Sequence, residues 1–165
     1  MRFYCQTVDL AYLDSALYRI ENQVIVNASP GQVFKVFEDE NSWPEWVEAI
    51  NKVEWTSPKP FGVGTTRTVI LKAVTADEKF IAWDPGKRFT FYFTATSVPF
   101  AHKFCEDYQL EPVDKGKTKL THVVAFQPCF LLKAVGPILK RNMATIFLKA
   151  LQSLANTAEN IRQEV

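Results

Sequence analysis

The pattern of hydrophobic and polar positions divides the chain into a strand-rich middle and a helical end. Residues 21–28 are typical of a strand, and Ser29-Pro30 then provides a helix cap followed by proline at the first helical position. A second short helix is predicted over residues 42–50, opening at Pro44. The first of these helices has an apolar stripe at Val33, Phe34, Val36 and Phe37. We therefore expect two short helices between the first and second strands.

Strands at residues 52–56 and 65–71 lead into a hairpin whose turn fixes its register. Asp84-Pro85-Gly86-Lys87 has proline and glycine at its central positions, as a type II turn prefers. This register pairs Trp83 with Arg88 on the face opposite the apolar one, where we expect them to form an exposed cation–π contact. On the apolar face it pairs Glu78 with Phe93, Phe80 with Phe91, and Ala82 with Phe89.

A second hairpin is predicted from residues 102–113 and 117–126, joined by a three-residue loop with Gly116 in the left-handed conformation. Its outer face is expected to meet solvent and carries Cys105, Asp107, Gln109, Glu111, Lys119 and Thr121. Its inner face opposes Phe104 with Phe126, Glu106 with Val124, Tyr108 with His122, and Leu110 with Leu120. Because a one-residue slip would bury the charges of the outer face, the register forces Glu106, Tyr108 and His122 inward.

After Pro128 the apolar period changes from two to three or four, which predicts one long amphipathic helix over residues 137–161. The helical spacing continues to Ile161, and the residues expected to face the sheet are Met143, Phe147, Leu151 and Leu154. Since this helix is the only large element that can cover the apolar face, the pattern predicts a curved antiparallel sheet wrapped around it. The fold class is thus α+β, with six or seven strands. Residues 20–165 are predicted to form one domain, and residues 1–19 fit neither period and are interpreted as an added arm.

Composition and charge exclude several classes of protein. The 165 residues carry a net charge of +1, so we expect no nucleic-acid partner. No apolar run is long enough for an integral membrane segment, and we expect a cytoplasmic protein. The 3 cysteines are widely spaced and only 2 histidines are present, which favours neither a disulfide framework nor a metal site. The chain also lacks the common nucleotide-binding and hydrolase motifs, and we expect no cofactor.

The inner face holds the candidate site. Its phenylalanines either line an apolar pocket or fill a core, and they are Phe80, Phe89, Phe91, Phe93, Phe104 and Phe126. Glu106, Tyr108 and His122 allow three readings: a buried polar network, ligand recognition, or general acid–base catalysis by Glu106 and His122. Arg67 shares a face with Val69 and is compatible with either an inward or an outward position.

Several segments resemble the START-like superfamily, also called SRPBCC, and within it the polyketide cyclase/dehydrase-like branch. The resemblance covers about residues 20–162, and the order of its elements is more diagnostic than any one motif. The segments that carry it are Val24-Ile25-Val26-Asn27-Ala28-Ser29-Pro30, Val33-Phe34-Lys35-Val36-Phe37, Trp43-Pro44-Glu45-Trp46, Phe61-Gly62-Val63-Gly64-Thr65, Tyr108-Gln109-Leu110-Glu111-Pro112 and Lys117-Thr118-Lys119-Leu120-Thr121.

The resemblance implies the helix-grip fold and a cavity between sheet and C-terminal helix that holds a hydrophobic small molecule, such as a lipid, isoprenoid or polyketide. It also implies that Trp43 and Trp46 lie near the cavity mouth, and the alternative role, for at least one of them, is to anchor the short helix. Our first hypothesis is therefore a binding protein for such a ligand. The second is a polyketide cyclase or dehydratase in which Glu106 and His122 exchange protons. The third is an interaction protein that forms a homodimer through its N-terminal arm.

Overall fold

The computed structural model describes residues 1–163 of the chain, and their side chains as far as Asn160. Ile161, the last position of the predicted helical stripe, lies outside the described side chains. In chain order the elements are β1 (Phe3–Tyr4), α1 (Tyr12–Ser15), β2 (Tyr18–Val26), α2 (Pro30–Glu38), α3 (Trp43–Trp46), β3 (Ile50–Trp55), β4 (Thr66–Leu71), β5 (Thr75–Asp84), β6 (Arg88–Thr96), β7 (Ala101–Val113), β8 (Lys117–Pro128) and α4 (Gly136–Gln163), with short 3-10 turns at Asp114–Gly116 and Phe130–Val135.

The strands form one antiparallel sheet in the order β2-β8-β7-β6-β5-β4-β3, with β1 paired to β6 beside this path. The sheet curves around α4, whose Leu151 and Leu154 are buried in the main core. The predicted α+β architecture is therefore confirmed, with two short helices between β2 and β3. The described residues contain one strand more than the six or seven expected, because the arm contributes β1.

The start of α4 is fixed by close packing against β2. Gly136 lies so near Tyr18 that a Cβ at this position would collide with the tyrosine hydroxyl. At the other end of the core, α2 begins with the predicted cap, since Gln32 N donates to Ser29 Oγ and Ser29 N donates to Gln32 Oε1. The helix α3 is shorter than predicted, and the indole of Trp43 anchors it by donating to the Phe37 carbonyl at 3.0 Å.

The β7–β8 hairpin has the predicted register at all four inner pairs, from Phe104 opposite Phe126 to Leu110 opposite Leu120. Its turn uses two left-handed residues, Lys115 as well as Gly116.

The β5–β6 hairpin follows the prediction only at its far end. Phe80 faces Phe91 as expected, but a bulge between Phe80 and Ala82 shifts the residues nearer the turn. Ala82 therefore pairs with Thr90 and Trp83 with Phe89, so the predicted pairing of Ala82 with Phe89 and of Trp83 with Arg88 is wrong. Trp83 instead turns its ring onto Phe34 and Phe80, with centroids 5.9 and 5.0 Å away.

The outer face of the β7–β8 hairpin is not the solvent-facing surface predicted, because the arm covers part of it. The arm enters the sheet where β6 and β7 diverge: Cys5 N donates to Thr94 O at 2.9 Å and Gln6 N donates to His102 O at 2.8 Å. Cys105 is consequently buried in a second apolar cluster whose members are Val8, Tyr12, Leu13, Tyr92, Cys105, Val123 and Ala125. Thr121 and Asp107 on the same face are buried as well.

Candidate functional site

A cavity of about 300 Å³ lies between the concave face of the sheet and α4. Its wall is apolar apart from one polar cluster, and the polar side chains that reach it are Arg67, Glu78, Glu106, Tyr108 and His122. The apolar side chains of the wall are Trp43, Trp46, Val47, Ile50, Val69, Leu71, Val74, Phe91, Phe93, Phe100, Phe104, Leu139, Met143, Phe147, Ala150 and Leu151.

Most of the residues predicted for the site meet at this cavity. Those that line it are Trp43, Trp46, Arg67, Phe91, Phe93, Phe104, Glu106, Tyr108, His122 and Phe147. Phe80, Phe89 and Phe126 do not line it and belong to the packed core behind it. Phe89 stacks on Phe37 of α2 at 5.1 Å, and Phe126 stacks on Tyr18 at 5.3 Å. For these three phenylalanines the core alternative is the one that the structure adopts.

Glu106 is the centre of the first half of the polar cluster. Its Oε2 accepts hydrogen bonds from the Tyr108 hydroxyl and from His122 Nε2, each at 3.0 Å. The His122 ring stacks on Tyr108 with 4.2 Å between centroids, and its edge faces Phe147 at 5.1 Å. With Nε2 donating to the carboxylate, a neutral His122 has a free acceptor at Nδ1, and this buried atom has no partner among the described residues.

Arg67 and Glu78 form the second half of the cluster, and Arg67 points inward. Arg67 is 1% exposed, and its Nε donates to Glu78 Oε2 at 2.6 Å. Its guanidinium carbon lies 4.1 Å from the ring centroid of Trp43 and 4.7 Å from that of Phe91. These rings compensate a buried cation through their electron-rich faces. Nη1 is nevertheless left without a hydrogen-bond partner among the described residues.

Burial raises the pKa of two groups in this cluster. Desolvation raises the pKa of Glu78 to about 7, outweighing Arg67, which lowers it, while the neighbouring charge of Glu106 raises it further. Desolvation also raises the pKa of Tyr108 well above its ordinary value, and the adjacent Glu106 adds to this effect. Tyr108 is therefore a hydrogen-bond donor at neutral pH, whereas Glu78 changes protonation within the physiological range.

Sequence reasoning did not include Glu78 among the candidate site residues, although the hairpin register already placed it opposite Phe93 on the apolar face. Three other lining residues carried no such signal: Leu71, Val74 and Phe100 come from the ends of strands and from loops, where no period predicts direction. Leu139 and Ala150 fit the predicted apolar spacing of α4 but were not among the residues expected to face the sheet, and the seating of the helix makes them part of the wall.

Among the residues that the structure describes, no helix combines the length and the hydrophobicity needed to cross a membrane.

Comparison with known proteins assigns the family. Residues 18–159 match the family model described as polyketide cyclase/dehydrase and lipid transport. The chain belongs to this family. Residues 1–17 of the N-terminal arm lie outside the matched residues. An uncharacterised protein of Mycobacterium tuberculosis is 39% identical to this member over 122 residues, which cover 73% of this chain and 72% of the relative. An uncharacterised protein of Mycobacterium bovis matches to the same extent.

Solved structures of low sequence identity share the helix-grip fold. A START superfamily protein from Mycobacterium smegmatis superimposes with a TM-score of 0.74 at 11% identity, covering 87% of this chain and 99% of the other. An aromatase/cyclase from a Streptomyces species superimposes with a TM-score of 0.68 at 17% identity, covering 86% of this chain and 93% of the other. At these identities the likeness establishes the fold and leaves ligand and activity open.

Proposed function

We propose that this family member binds one hydrophobic small molecule, a lipid, isoprenoid or polyketide-like compound, in the cavity between the sheet and α4. The observation that carries the proposal is an apolar cavity that ends on buried polar atoms without partners. An apolar cavity and unpaired buried polar atoms are both rare in closed protein cores. Such cores are packed to crystal-like density, and their buried polar groups are almost always paired.

The size of the cavity limits the ligand. Its volume of about 300 Å³ is at the lower end of the ~300–1,000 Å³ range of small-molecule sites. A compact ligand with one or two rings or a short prenyl chain fits this space, whereas a complete phospholipid does not.

The polar cluster favours a ligand with oxygen at its inner end. His122 Nδ1 and Arg67 Nη1 lack partners, and an unsatisfied buried polar atom costs about 1–3 kcal/mol. A hydroxyl donating to His122 and a carbonyl or phenol oxygen accepting from Arg67 would satisfy both atoms. The proposed binding residues are thus the apolar wall for affinity and Arg67, Glu106, Tyr108 and His122 for orientation.

Filling the cavity tests this proposal. Ala150→Trp places an indole in the space beside α4, and we expect it to weaken ligand binding at least tenfold without unfolding the protein. Gln152→Trp is the matched control, because residue 152 is exposed on the same helix. Binding is measured as displacement of 1-anilinonaphthalene-8-sulfonate by a panel of lipids, isoprenoids and aromatic polyketides. Equal displacement in both variants would contradict the proposal. Native mass spectrometry of protein purified from its own host would identify the ligand.

One observation favours an enzymatic alternative, a polyketide cyclase/dehydratase-like reaction in the same cavity. The 3.0 Å contact between Glu106 and His122 faces the cavity, and such a pair can exchange protons with a bound substrate. Under this alternative, Glu106→Gln retains ligand binding while turnover of a polyketide substrate, followed by mass spectrometry, falls by about two to four powers of ten. Unchanged turnover would remove Glu106 as the acid–base residue.

Two further predictions from the sequence remain open. Val8, Tyr12 and Leu13 of the arm pack on their own sheet, and dimerisation through the arm remains a prediction that sedimentation equilibrium can test. The cytoplasmic location is also a prediction, to be tested by fractionation of the host cell.

A further inference from the structure

One end of the molecule exposes large apolar side chains beside the cavity. Phe130 and Leu131 are adjacent in sequence and 77% and 81% exposed, and Val135 and Ile138 follow at 39% and 61%. We call these four residues the apolar tip. They occupy the 3-10 turn Phe130–Val135 and the first turn of α4. Single exposed apolar residues are common, but a contiguous group of this size marks a surface that contacts another phase or molecule.

The charged residues near the apolar tip in sequence are all basic. Residues 115–158 contain no aspartate or glutamate. Within this stretch Lys133, Lys140 and Arg141 are exposed next to the tip, and Lys133 Nζ lies 5.9 Å from the centroid of Phe130. Cations that flank exposed aromatic and aliphatic side chains are typical of segments that lie in the interface of an anionic bilayer.

The apolar tip also adjoins a part of the cavity wall that retains exposure. Ile138 points to solvent, whereas the next residue, Leu139, lines the cavity and is half-buried. Phe100 is another half-buried lining residue. Its carbonyl accepts a hydrogen bond at 3.1 Å from the backbone N of Cys129, the residue that precedes Phe130. The polar cluster, by contrast, consists of buried residues. One part of the exposed cavity wall thus borders the apolar tip, and another part is formed by Val47, Leu71 and Val74, whereas the inner end is the polar cluster.

We propose that the apolar tip docks on the surface of a membrane that contains anionic lipids, with the cavity mouth turned towards the bilayer. Apolar insertion and electrostatic attraction are two weak signals that give reversible peripheral binding only in combination. An acidic partner protein would satisfy the charges, but it would not explain why the exposed apolar residues continue into an apolar cavity. The proposal goes beyond ligand binding, and membrane docking can be measured on protein that holds no ligand.

The test is co-sedimentation with vesicles of phosphatidylcholine alone and of phosphatidylcholine with 30% phosphatidylglycerol. We expect binding to the anionic vesicles, weakened by salt, and little binding to the neutral ones. The double variant Phe130→Ser/Leu131→Ser should bind at least tenfold more weakly. Val63→Ser is its matched control, since Val63 is 71% exposed in the loop between β3 and β4.

Charge variants separate the two signals. Lys140→Glu and Arg141→Glu should each weaken binding to anionic vesicles at least fivefold, since each removes a cation whose attraction to the surface is about 1 kcal/mol and adds an anion that the surface repels. Lys115→Glu, in the turn between β7 and β8, is the control and should have little effect.

Three outcomes would overturn the proposal. The first is absence of binding to either kind of vesicle, and the second is equal binding by Phe130→Ser/Leu131→Ser and Val63→Ser. The third is a concentration-dependent dimer that the double variant abolishes, which would assign the apolar tip to a second copy of the chain. Dye displacement should be unchanged in the double variant, so failure of membrane docking is distinguishable from failure of ligand binding.

Discussion

Glu106 and Asp107 are neighbours on β7, both buried, and they point to opposite faces of the sheet. On the convex face, Asp107 accepts from Arg88 Nε at 2.9 Å and Arg88 Nη2 at 3.0 Å. It also accepts from Thr90 and from Gln109, the latter at 2.7 Å. Both carboxylate oxygens are therefore satisfied within the protein, and the bond to Asp107 raises the pKa of Arg88.

On the concave face, Glu106 receives two donors, both on the same oxygen. The cluster around it leaves His122 Nδ1 and Arg67 Nη1 without partners. Both carboxylates are buried, but the hydrogen bonds of their two clusters are completed to different extents. On the convex face, groups of the protein satisfy both carboxylate oxygens of Asp107. On the concave face, polar atoms without partners remain, and a ligand can form hydrogen bonds with them. We therefore interpret Asp107 as a structural residue and Glu106 as part of a binding site.

The largest expected effect comes from removing the carboxylate on the convex face. Asp107→Asn replaces an acceptor by an amide that faces several donors, and we expect the free energy of unfolding to fall by roughly 3–4 kcal/mol, the lower part of the range for a broken buried pair. Arg88 moderates the loss because its side chain is 34% exposed. Urea denaturation measures the change.

Glu106→Gln is the matched variant on the concave face. Its amide oxygen can still accept from Tyr108 and His122, so we expect a loss below about 1 kcal/mol, together with altered ligand affinity. Equal destabilisation by the two variants would break the comparison, since both carboxylates would then be structural.

The second prediction concerns the pH dependence of stability through Glu78. Its pKa in the folded protein is about 7 against 4.5 for an ordinary glutamate. The folded state therefore binds more protons than the unfolded chain between these values, and the free energy of unfolding falls as the pH rises through this window. The size is about 3 kcal/mol at most. We expect this fall in the wild type, and Glu78→Gln should lack it.

Urea titrations at several pH values between 5 and 8 measure the difference between the two proteins. Glu40→Gln, at an exposed carboxyl, is the control and should follow the wild type. Parallel profiles for wild type and Glu78→Gln would mean that Arg67 dominates and keeps Glu78 ionised. The concave cluster would then be an ordinary ion pair, like the convex one.

The third prediction, with a smaller expected effect than the first two, sharpens the comparison by testing the empty space itself. Phe147 lines the cavity and is half-buried, so Phe147→Ala enlarges existing space and should cost about 1–2 kcal/mol, less than the ~3–5 kcal/mol of a fully packed phenylalanine. Phe89, which is 0% exposed, provides the packed reference as Phe89→Ala. Thermal and urea denaturation compare the two variants. Similar losses would indicate a core without usable space.

Prediction from sequence succeeded where only one strand register was compatible with the pattern of apolar and charged residues. In the β7–β8 hairpin, any slip would have exchanged an apolar face for a charged one, and the observed register is the predicted one. In the β5–β6 hairpin both turn and faces looked regular, yet one extra residue at Ile81 forms a bulge. Because a bulge changes the strand register without changing the amino-acid composition, the sequence pattern did not reveal it. The contact predicted between Trp83 and Arg88 was therefore wrong.

The convex face shows a different limit. Asp107, Cys105 and Thr121 form a polar pattern that indicates solvent, but the arm covers Cys105, and Arg88 from the next strand neutralises Asp107. Both covering groups are distant in sequence from the residues that they cover. The periodicity of a strand shows which residues share a face, but it does not show which other elements cover that face. It therefore cannot predict this kind of burial.

By itself, the sequence determined the order of elements, the inward direction of Glu106, Tyr108 and His122, and the long helix that closes the sheet, because periodicity and turn chemistry act over neighbouring residues. Only the tertiary structure decided that Arg67 turns inward to Glu78, that Phe91 borders a cavity while Phe89 fills the core, and that space remains beneath α4. Those outcomes depend on the curvature of the sheet and the seating of the helix, which arise from the packing of all elements together.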